Sequence, residues 1–319
     1  MKVAPLLLAV SALTAADFPE ATITNGKVTV KFLLPDAESG YYRGTRFDWS
    51  GAISSLRTAN HEYFGQWFPK YDPKLHDAIM GPVEEFQTHG SSLGYAEAAP
   101  GGTFVRIGVG LVRKPEEAQY QRFKTYEIVD HGKWKVKPGK DKIEFVHELK
   151  DSTGYAYRYT KTVRLTPGKP EMVIEHTLEN KGSKVIEADQ YNHNFFVIDG
   201  KPSGPDTRIE FPFELKASRP FQGGLAESRG REIVYTKELQ PGQSVNAEFD
   251  TSGTTAYDIK VENRAAGAGV RILGDRPIAK LVYWSIRTTT CPESYIDIKV
   301  EPGRKTSWKY TYQFYDLKP

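Results

Sequence analysis

The sequence predicts an all-β protein of long antiparallel strands, and three observations support this. Segments with the alternation and the β-branched and aromatic content of strands follow one another from residue 103 almost to the end of the chain. Turn signals such as Pro-Gly, Gly-Lys and Asn-Lys-Gly separate these segments at regular intervals. Helical periodicity never extends beyond about two turns, the shortest stretch that a periodicity test supports.

The N-terminal half begins with an alternating strand at residues 28–34 and an extended stretch at residues 45–56. Residues 57–90 contain many aromatic residues and Pro69, Pro73 and Pro82, and they are predicted to form an irregular loop. A long loop inside a domain is more often functional than idle. Further strands are predicted at residues 103–112, 124–130, 133–136, 142–149, 155–165 and 171–179. In the fifth of these, Tyr155, Tyr157 and Tyr159 share one face of an extended chain.

The C-terminal half repeats this style. Its predicted strands are residues 184–188, 191–198, 208–211, 245–249, 257–262, 270–275, 280–286, 295–300 and 306–314. No linker rich in Pro, Gly or Ser divides the sequence, and it contains no repeat of solenoid or propeller length. Residues 17–319 are therefore predicted to form a single domain.

The first 16 residues, MKVAPLLLAVSALTAA, read as a secretory signal peptide, with one Lys, a short apolar run and small residues before the predicted cleavage site. The mature protein is expected to be secreted or periplasmic. No later apolar run is long enough to span a membrane, so the mature form is predicted to be free of the membrane. Cys291 is the only cysteine, and no Cys/His cluster has the spacing of a metal site.

The charge balance argues against a nucleic-acid partner. The 43 basic residues nearly offset the 40 acidic ones, the formal net charge is +3, and no basic run stands out. Aromatic residues make up 12% of the chain, with 18 Tyr and 5 Trp. That content suits a surface that stacks on sugars, and it suits a β-rich core equally well.

The segment Gln190–Asp199, QYNHNFFVID, carries the most chemistry. Its apolar residues have strand character, and they follow Asn192, His193 and Asn194. An imidazole can move a proton near neutral pH, and amides can both donate hydrogen bonds to hydroxyls and accept them. These are the groups that a sugar site needs, although a single His on a strand is also common as a structural residue.

QYNHNFF follows a long strand ending in HTLENKGSK, and in this context it resembles the NHxYF-like segment of the aldose 1-epimerase (galactose mutarotase) superfamily. The segment GAISSL at residues 51–56 is similar to the family's opening strand. Residues 290–293 (TCPE), 300–303 (VEPG) and 308–314 (WKYTYQF) are similar to its closing segments. The resemblance implies a β-supersandwich of two large antiparallel sheets, with a sugar on one concave face and no cofactor.

The resemblance also implies catalytic roles. It makes His193 the acid that protonates the ring oxygen of a sugar, and it requires a Glu near the C-terminus as base. Glu293 is the candidate, but it lies closer to Pro302 than the family pattern expects, and an alignment anchored on residues 290–292 places the carboxylate near Arg287. Either Glu293 acts from a shifted position or the usual base is absent.

Other candidates lie in the early loops. The family's Asn-Arg pair has no clear match, and in its place stand Glu84 and Glu85, with His76 before them and His89 after them. The two carboxylates either bind hydroxyls, supply the base, or form a solvated acidic turn.

Arg46, Asp48 and Trp49 form a third group of candidates. They would contribute an ion pair and a stacking ring to a sugar cleft, or else form a buried structural ion pair.

The leading hypothesis is an exported isomerase that interconverts aldose anomers, with a sugar or glycan as its partner. The first alternative is a non-catalytic glycan-binding protein that has lost the base. The second is a relative of polysaccharide lyases, which would gather basic residues around a uronate; its candidates are Arg43, Arg46, Arg287, Tyr191 and His193. Motifs of serine hydrolases, phosphate-binding loops and dinucleotide-binding folds do not occur in the sequence.

Overall fold

The computed structural model describes residues 18–116, 119–254 and 256–318, and their regular structure consists of β-strands without an α-helix. The strands in chain order are β1 (Glu20–Thr24), β2 (Thr29–Leu33), β3 (Ala52–Arg57), β4 (Glu62–Phe64), β5 (Gly81–Gln87), β6 (Thr103–Arg106), β7 (Gly110–Arg113), β8 (Ile128–Asp130), β9 (Lys133–Pro138), β10 (Lys142–Lys150), β11 (Ala156–Leu165), β12 (Glu171–Asn180), β13 (Ile186–Phe195), β14 (Thr207–Glu210), β15 (Lys216–Arg219), β16 (Ala226–Arg229), β17 (Glu232–Tyr235), β18 (Ser244–Asp250), β19 (Tyr257–Asn263), β20 (Ala268–Gly274), β21 (Lys280–Ile286), β22 (Thr289–Val300) and β23 (Lys305–Asp316).

Two large sheets dominate the fold, and this confirms the predicted all-β class. The ten-stranded sheet has the order β16-β17-β14-β19-β20-β23-β12-β11-β10-β9, and the six-stranded sheet has the order β15-β18-β21-β22-β13-β5. Neighbouring strands run antiparallel. A four-stranded sheet, β1-β2-β3-β4, and a three-stranded sheet, β6-β7-β8, accompany them.

The main hydrophobic core lies between the two large sheets. Met172, Ile174 and Leu178 alternate along β12 of the ten-stranded sheet, and Ile296 and Ile298 alternate along β22 of the six-stranded sheet. Side chains two residues apart share a face of a strand, so each sheet presents a row of apolar side chains to the other. Removal of this apolar surface from water drives the two sheets together.

The other face of the six-stranded sheet carries the polar and aromatic residues of the same strands. Tyr191 and His193 of β13 alternate with buried residues of the core face, and so do Glu293 and Tyr295 of β22. A second cluster of buried aromatic side chains packs against this outer face, including Phe47 and Trp67 from loops and Phe104 from β6. The loops thereby cover one end of the face and leave a cavity there.

One prediction about the early loop was wrong. Part of residues 57–90 forms β4 and β5, and β5 is an edge strand of the six-stranded sheet. Pro82 fits this edge because a strand at the end of a sheet can lack one backbone donor. Gly81, at a φ of +93°, begins β5 where a Cβ atom would approach the Cβ of Ile53 to 2.8 Å.

Other differences concern the ends of strands. The strand predicted at residues 103–112 is a hairpin of β6 and β7, and the short strands β1 and β15–β17 were not predicted. The predicted signal peptide, residues 1–16, lies outside the described residues. Within the described ranges, no helix could cross a membrane.

Candidate active site

The candidate site forms where the pairing of β13 with β22 is interrupted. The ladder runs from Ile186↔Val300 to Tyr191↔Tyr295, and a single bridge, Phe196↔Thr290, continues the same register beyond the gap. Phe196 and Thr290 exchange both backbone hydrogen bonds, so the next pair of that kind is Asn194 opposite Pro292.

Pro292 has no N–H to donate to Asn194, and this breaks the ladder. The side chain of Asn194 spans the gap instead, since its Nδ2 donates to the carbonyl oxygen of Pro292 at 2.9 Å. The Asn194 Oδ1 accepts a hydrogen bond from Tyr312 of the ten-stranded sheet at 2.8 Å. Asn194 therefore ties both large sheets to the backbone immediately before Glu293.

The continued register places His193 directly opposite Glu293, at a position where the two backbones exchange no hydrogen bonds. Side chains at such positions approach most closely. The His193 Nε2 lies 3.3 Å from the Glu293 Oε1, and the two residues are 3% and 4% exposed. The imidazole is stacked on Phe195, with ring centroids 3.9 Å apart, and meets Phe47 edge-on at 5.7 Å. These contacts hold the ring in one plane.

His193 and Glu293 form the floor of a cavity of about 360 Å³. Aromatic rings and charged groups line most of it: Arg46, Trp67, His76, Asp77, Arg122, Phe123, Phe195, Arg219, Glu248, Lys280, Trp284 and Tyr295. Phe123 is 55% exposed at this cavity. An exposed ring beside hydrogen-bonding groups is suited to the apolar face and the hydroxyls of a sugar.

A cluster of guanidinium groups lies beside the floor. Glu85 binds Arg46 at 2.9 Å and Arg122 at 2.8 Å, lies 3.8 Å from Arg106, and accepts a hydrogen bond from Tyr191 at 2.5 Å. Burial opposes the ionisation of Glu85, but the charges of Arg122 and Arg46 outweigh it and hold the pKa of this carboxyl well below its usual range. Three cations surround one carboxylate, so the cluster has surplus positive charge.

The surroundings shift both groups of the floor toward their neutral forms. Burial lowers the pKa of His193 well below its ordinary value, and the charges of Arg46 and Arg122 lower it further. Burial raises the pKa of Glu293 to about 7, although Arg122 and Arg46 oppose this shift. Glu293 is therefore a carboxyl group that gains and loses its proton near neutral pH.

Three predicted site residues lie between the large sheets instead of at the cavity. Glu84 pairs with Lys161, accepts a hydrogen bond from Asn192 at 3.2 Å and lies 2.9 Å from the Nε2 of His176. Asp48 is buried nearby and binds the backbone N–H of Ser50 at 2.9 Å. The position of Glu84 follows from the strand period, because Glu84 and Glu85 are consecutive in β5 and their side chains point to opposite faces of the sheet.

Of the remaining predicted residues, Arg46 and His76 line the cavity and three others do not. Trp49 is buried, and its Nε1 donates to the carbonyl of Gly44 at 2.8 Å. His89 is exposed, 3.7 Å from Glu187, and Arg287 forms a surface pair with Glu238 at 3.0 Å.

The group expected of a lyase does not assemble at the cavity. Arg46 and His193 line it, but Arg43 donates to the carbonyl of Glu38 at 2.6 Å and Arg287 lies on the surface. Among the described residues, no group of three or more His, Cys, Asp or Glu side chains could hold a metal ion.

Several cavity residues were not anticipated from the sequence. Trp284 and Tyr295 lie on β21 and β22, and alternation with Glu293 would have placed Tyr295 on the same face. Arg122 and Phe123 come from a loop between β7 and β8, where no periodic pattern marks them. Only their position in the folded chain identifies them.

Comparison with known proteins shows the fold. No protein-family model and no curated protein matches the sequence. Solved structures do match: a protein from Synechocystis sp. PCC 6803 has a TM-score of 0.59 at 12% identity, covering 98% of this chain and 100% of that one. A galactose mutarotase-like protein from Clostridium acetobutylicum has a TM-score of 0.55 at 13% identity, over 93% and 95% of the two chains.

An aldose epimerase homologue from C. elegans also matches, with a TM-score of 0.55 at 11% identity over 94% of this chain and 100% of that one. The protein has the galactose mutarotase-like fold. This confirms the fold that the resemblance implied. The low identities make the chain a divergent example of the mutarotase-like fold, and they leave its activity to be argued from the site.

Proposed function

We propose that the protein interconverts the anomers of an aldose in the cavity above His193 and Glu293. The observation that carries the proposal is the contact of these two groups, 3.3 Å apart on the floor of an open cavity. Mutarotation needs a group that takes the proton of the anomeric hydroxyl and a group that protonates the ring oxygen. Both oxygens are bonded to the anomeric carbon, so two adjacent groups on one floor can reach both of them.

The pair has two forms that hold the same number of protons. In the neutral form Glu293 carries the shared proton, and in the charged form His193 carries it. From the neutral form, Glu293 gives its proton to the ring oxygen while His193 takes the proton of the anomeric hydroxyl. The bond between the anomeric carbon and the ring oxygen breaks, and the aldehyde forms. Rotation about the bond between C1 and C2, followed by ring closure, returns both protons and yields the other anomer.

The resemblance implied the opposite assignment, with His193 as acid at the ring oxygen and Glu293 as base at the anomeric hydroxyl. Those roles require the closed sugar to bind the charged form of the pair, with His193 protonated and Glu293 ionised. The shifted pKa values of His193 and Glu293 favour the neutral form as the resting state. Arg46 and Arg122 are placed to stabilise negative charge that develops on the sugar oxygens.

A non-catalytic glycan-binding protein is the second candidate, and one observation favours it. The side chains of His193 and Glu293 are almost completely buried, so a sugar reaches them only if it fits deep into the cavity. A sugar held at the mouth of the cavity by the ring of Phe123 and by charged side chains would bind without reacting.

Exchange spectroscopy distinguishes the two candidates. We expect the protein to accelerate exchange between the α and β anomers of at least one aldose in a panel, measured by NMR. His193→Asn and Glu293→Gln should each lower the accelerated rate about 100-fold or more, the range of general acid–base catalysis. Glu238→Gln, the same chemical change at the surface, serves as control. A folded protein that binds a sugar without accelerating exchange on any of them would establish the binding protein instead.

A further inference from the structure

The outer face of the six-stranded sheet extends beyond the candidate active site. Because side chains alternate along a strand, Asp189 and His193 of β13 share this face, and so do Asp297 and Glu293 of β22. Asp189 lies four positions before His193, a distance of about 13 Å at the rise of an extended strand. This exceeds the width of one sugar ring.

A second cavity, of about 670 Å³, lies over this extension. Lys280 and Tyr295 line both cavities, so the two cavities adjoin at these side chains. Asp189, Asp297 and Lys299 are among the residues that line the second cavity. A ligand that is longer than one ring and extends past Lys280 and Tyr295 would reach from the first cavity into the second one.

Two opposed carboxylates characterise the second cavity. Asp189 and Asp297 are directly opposite each other in the ladder between β13 and β22. Like charges in this position destabilise a sheet. Among the described residues, no basic nitrogen lies within 4.0 Å of either carboxylate, whereas the neighbouring Glu187 pairs with Lys299 at 2.8 Å. Burial raises the pKa of Asp189, the charge of Asp297 raises it further, and Lys280 opposes the shift.

The unpaired carboxylates have acceptor capacity that a hydroxyl-rich ligand can use. An ionised carboxylate accepts hydrogen bonds at two oxygens, and bonds of this kind are stronger than those between neutral groups. A protein partner fits less well, because the core of a protein interface is depleted of charged residues. The charged side chains of Asp189, Asp297 and Lys299 line this cavity, where such an interface would place its apolar centre.

We propose that the second cavity binds the sugar units next to the reducing end of a linear oligosaccharide whose reducing end lies over His193 and Glu293. The position of the reducing end rests on the proposed function, whereas the binding of sugar hydroxyls at Asp189 and Asp297 does not. The preferred substrate is then the end of a glycan chain and not a free monosaccharide.

The test compares sugars of increasing length. Anomeric exchange is measured by NMR, and affinity by calorimetry, for the malto-, cello- and xylo-series from one to four units, in buffer with EDTA. In at least one series we expect kcat/KM and affinity to rise about tenfold or more from one unit to three, as expected for charged hydrogen bonds. In the double variant Asp189→Asn/Asp297→Asn the ratio of the values for three units and one unit should fall to about one.

The double variant removes a repulsion, so it should fold at least as well as the wild type, which a thermal melt verifies. The control is Glu144→Gln/Glu175→Gln, which removes two carboxylates from the ten-stranded sheet and should keep the length dependence. The proposal is overturned if no series depends on length, if the double variant keeps the dependence, or if binding requires calcium. Length-dependent binding that the double variant loses, without exchange on any sugar, would support the second cavity and overturn the proposed function.

Discussion

Burial favours the neutral form of both His193 and Glu293, and this determines which group gives a proton and which takes one. The Nε2 of His193, an imidazole of lowered pKa, lies 3.3 Å from the Oε1 of Glu293, a carboxyl whose pKa is raised to about 7. A general acid is well suited to proton transfer when its pKa lies near the working pH. The rings of Phe195 and Phe47 fix the geometry in which that transfer occurs.

The activity should therefore depend on pH with one descending limb. Glu293, with its pKa raised to about 7, keeps the shared proton below that pH and loses it as the pH rises. We expect kcat/KM for anomeric exchange to be level below about pH 7 and to fall about tenfold per pH unit above it. A profile that rises through neutral pH would contradict this assignment. The measurement is the exchange rate as a function of pH, corrected for buffer catalysis.

Glu85 holds the guanidinium cluster together, so its removal should be costly. Glu85→Gln leaves Arg46, Arg106 and Arg122 without their shared carboxylate, and loss of one partner of a buried ion pair costs about 3–5 kcal/mol. Urea unfolding measures this loss. Glu127→Gln breaks the exposed pair with Arg113 and should cost less than about 1 kcal/mol. Equal effects of the two substitutions would show that the cluster does not stabilise the fold.

At the scale of the strand, one proline creates the site. Pro292 removes a ladder hydrogen bond in the interior of the six-stranded sheet, where proline is otherwise rare. The regular pairing of β13 with β22 stops here, and His193 and Glu293, one position away, line the cavity. Asn194 compensates by bonding to the Pro292 carbonyl, and Tyr312 holds Asn194 from the opposite sheet.

Asn194→Ala should weaken both folding and catalysis. The substitution leaves the Pro292 carbonyl and the Tyr312 hydroxyl without their buried partner, which costs about 1–3 kcal/mol per group. Glu293 would also lose its fixed distance to His193, so kcat should fall about tenfold or more with little change in KM. Unfolding and exchange kinetics measure the two effects. Asn60→Ala, at an exposed bond to Asp316, is the control, and an unchanged kcat in Asn194→Ala would count against this role.

At the scale of the whole molecule, a buried polar layer joins the two large sheets. Glu84 of the six-stranded sheet binds Lys161 and His176 of the ten-stranded sheet, with Asp48 beside them. Burial opposes the ionisation of Glu84, but Lys161 and His176 together outweigh it, and the pKa of Glu84 is lowered. Burial raises the pKa of Asp48 to about 7 against the charge of Lys161. The layer thus contains one carboxyl group with a lowered pKa and one with a raised pKa.

The opposite shifts predict a maximum of stability at mildly acidic pH. The lowered pKa values of Glu84 and Glu85 contribute stability that is present above their unfolded value of about 4.5 and is lost as the pH falls. The raised pKa values of Asp48 and Glu293 contribute stability that is present at low pH and is lost as the pH rises toward about 7.

The buried histidines act in the opposite direction to Asp48 and Glu293. Burial lowers the pKa values of His147, His176 and His193, so they contribute stability that is present above their unfolded value of about 6.5 and is lost as the pH falls. The free energy of unfolding should therefore peak near pH 6.

Chemical denaturation between pH 3 and pH 8 measures this curve. Glu293→Gln removes one of the carboxyl groups with a raised pKa, so its stability relative to that of the wild type should rise between pH 5 and pH 7. A difference between the two proteins that does not change with pH would show that Glu293 does not titrate in this range.

Local pattern was enough to predict the class of the fold. The strand period and the turn signals predict long antiparallel strands because they depend on neighbouring residues alone. The segment around His193 was selected as a candidate from its own residues, whereas Glu293 became a candidate only through the family resemblance. Alternation also implies that only one of Glu84 and Glu85 can face a given side of β5, but it does not say which one.

Tertiary structure decided the rest, because the register between distant strands depends on how two sheets bury their apolar faces. That register sets His193 opposite Glu293, a hundred positions along the chain, and aligns Asp189 with Asp297. It also turns Glu84 into the core and Glu85 toward the arginines. Arg122 and Phe123 reach the cavity from a loop, whose path follows from packing and leaves no periodic trace in the sequence.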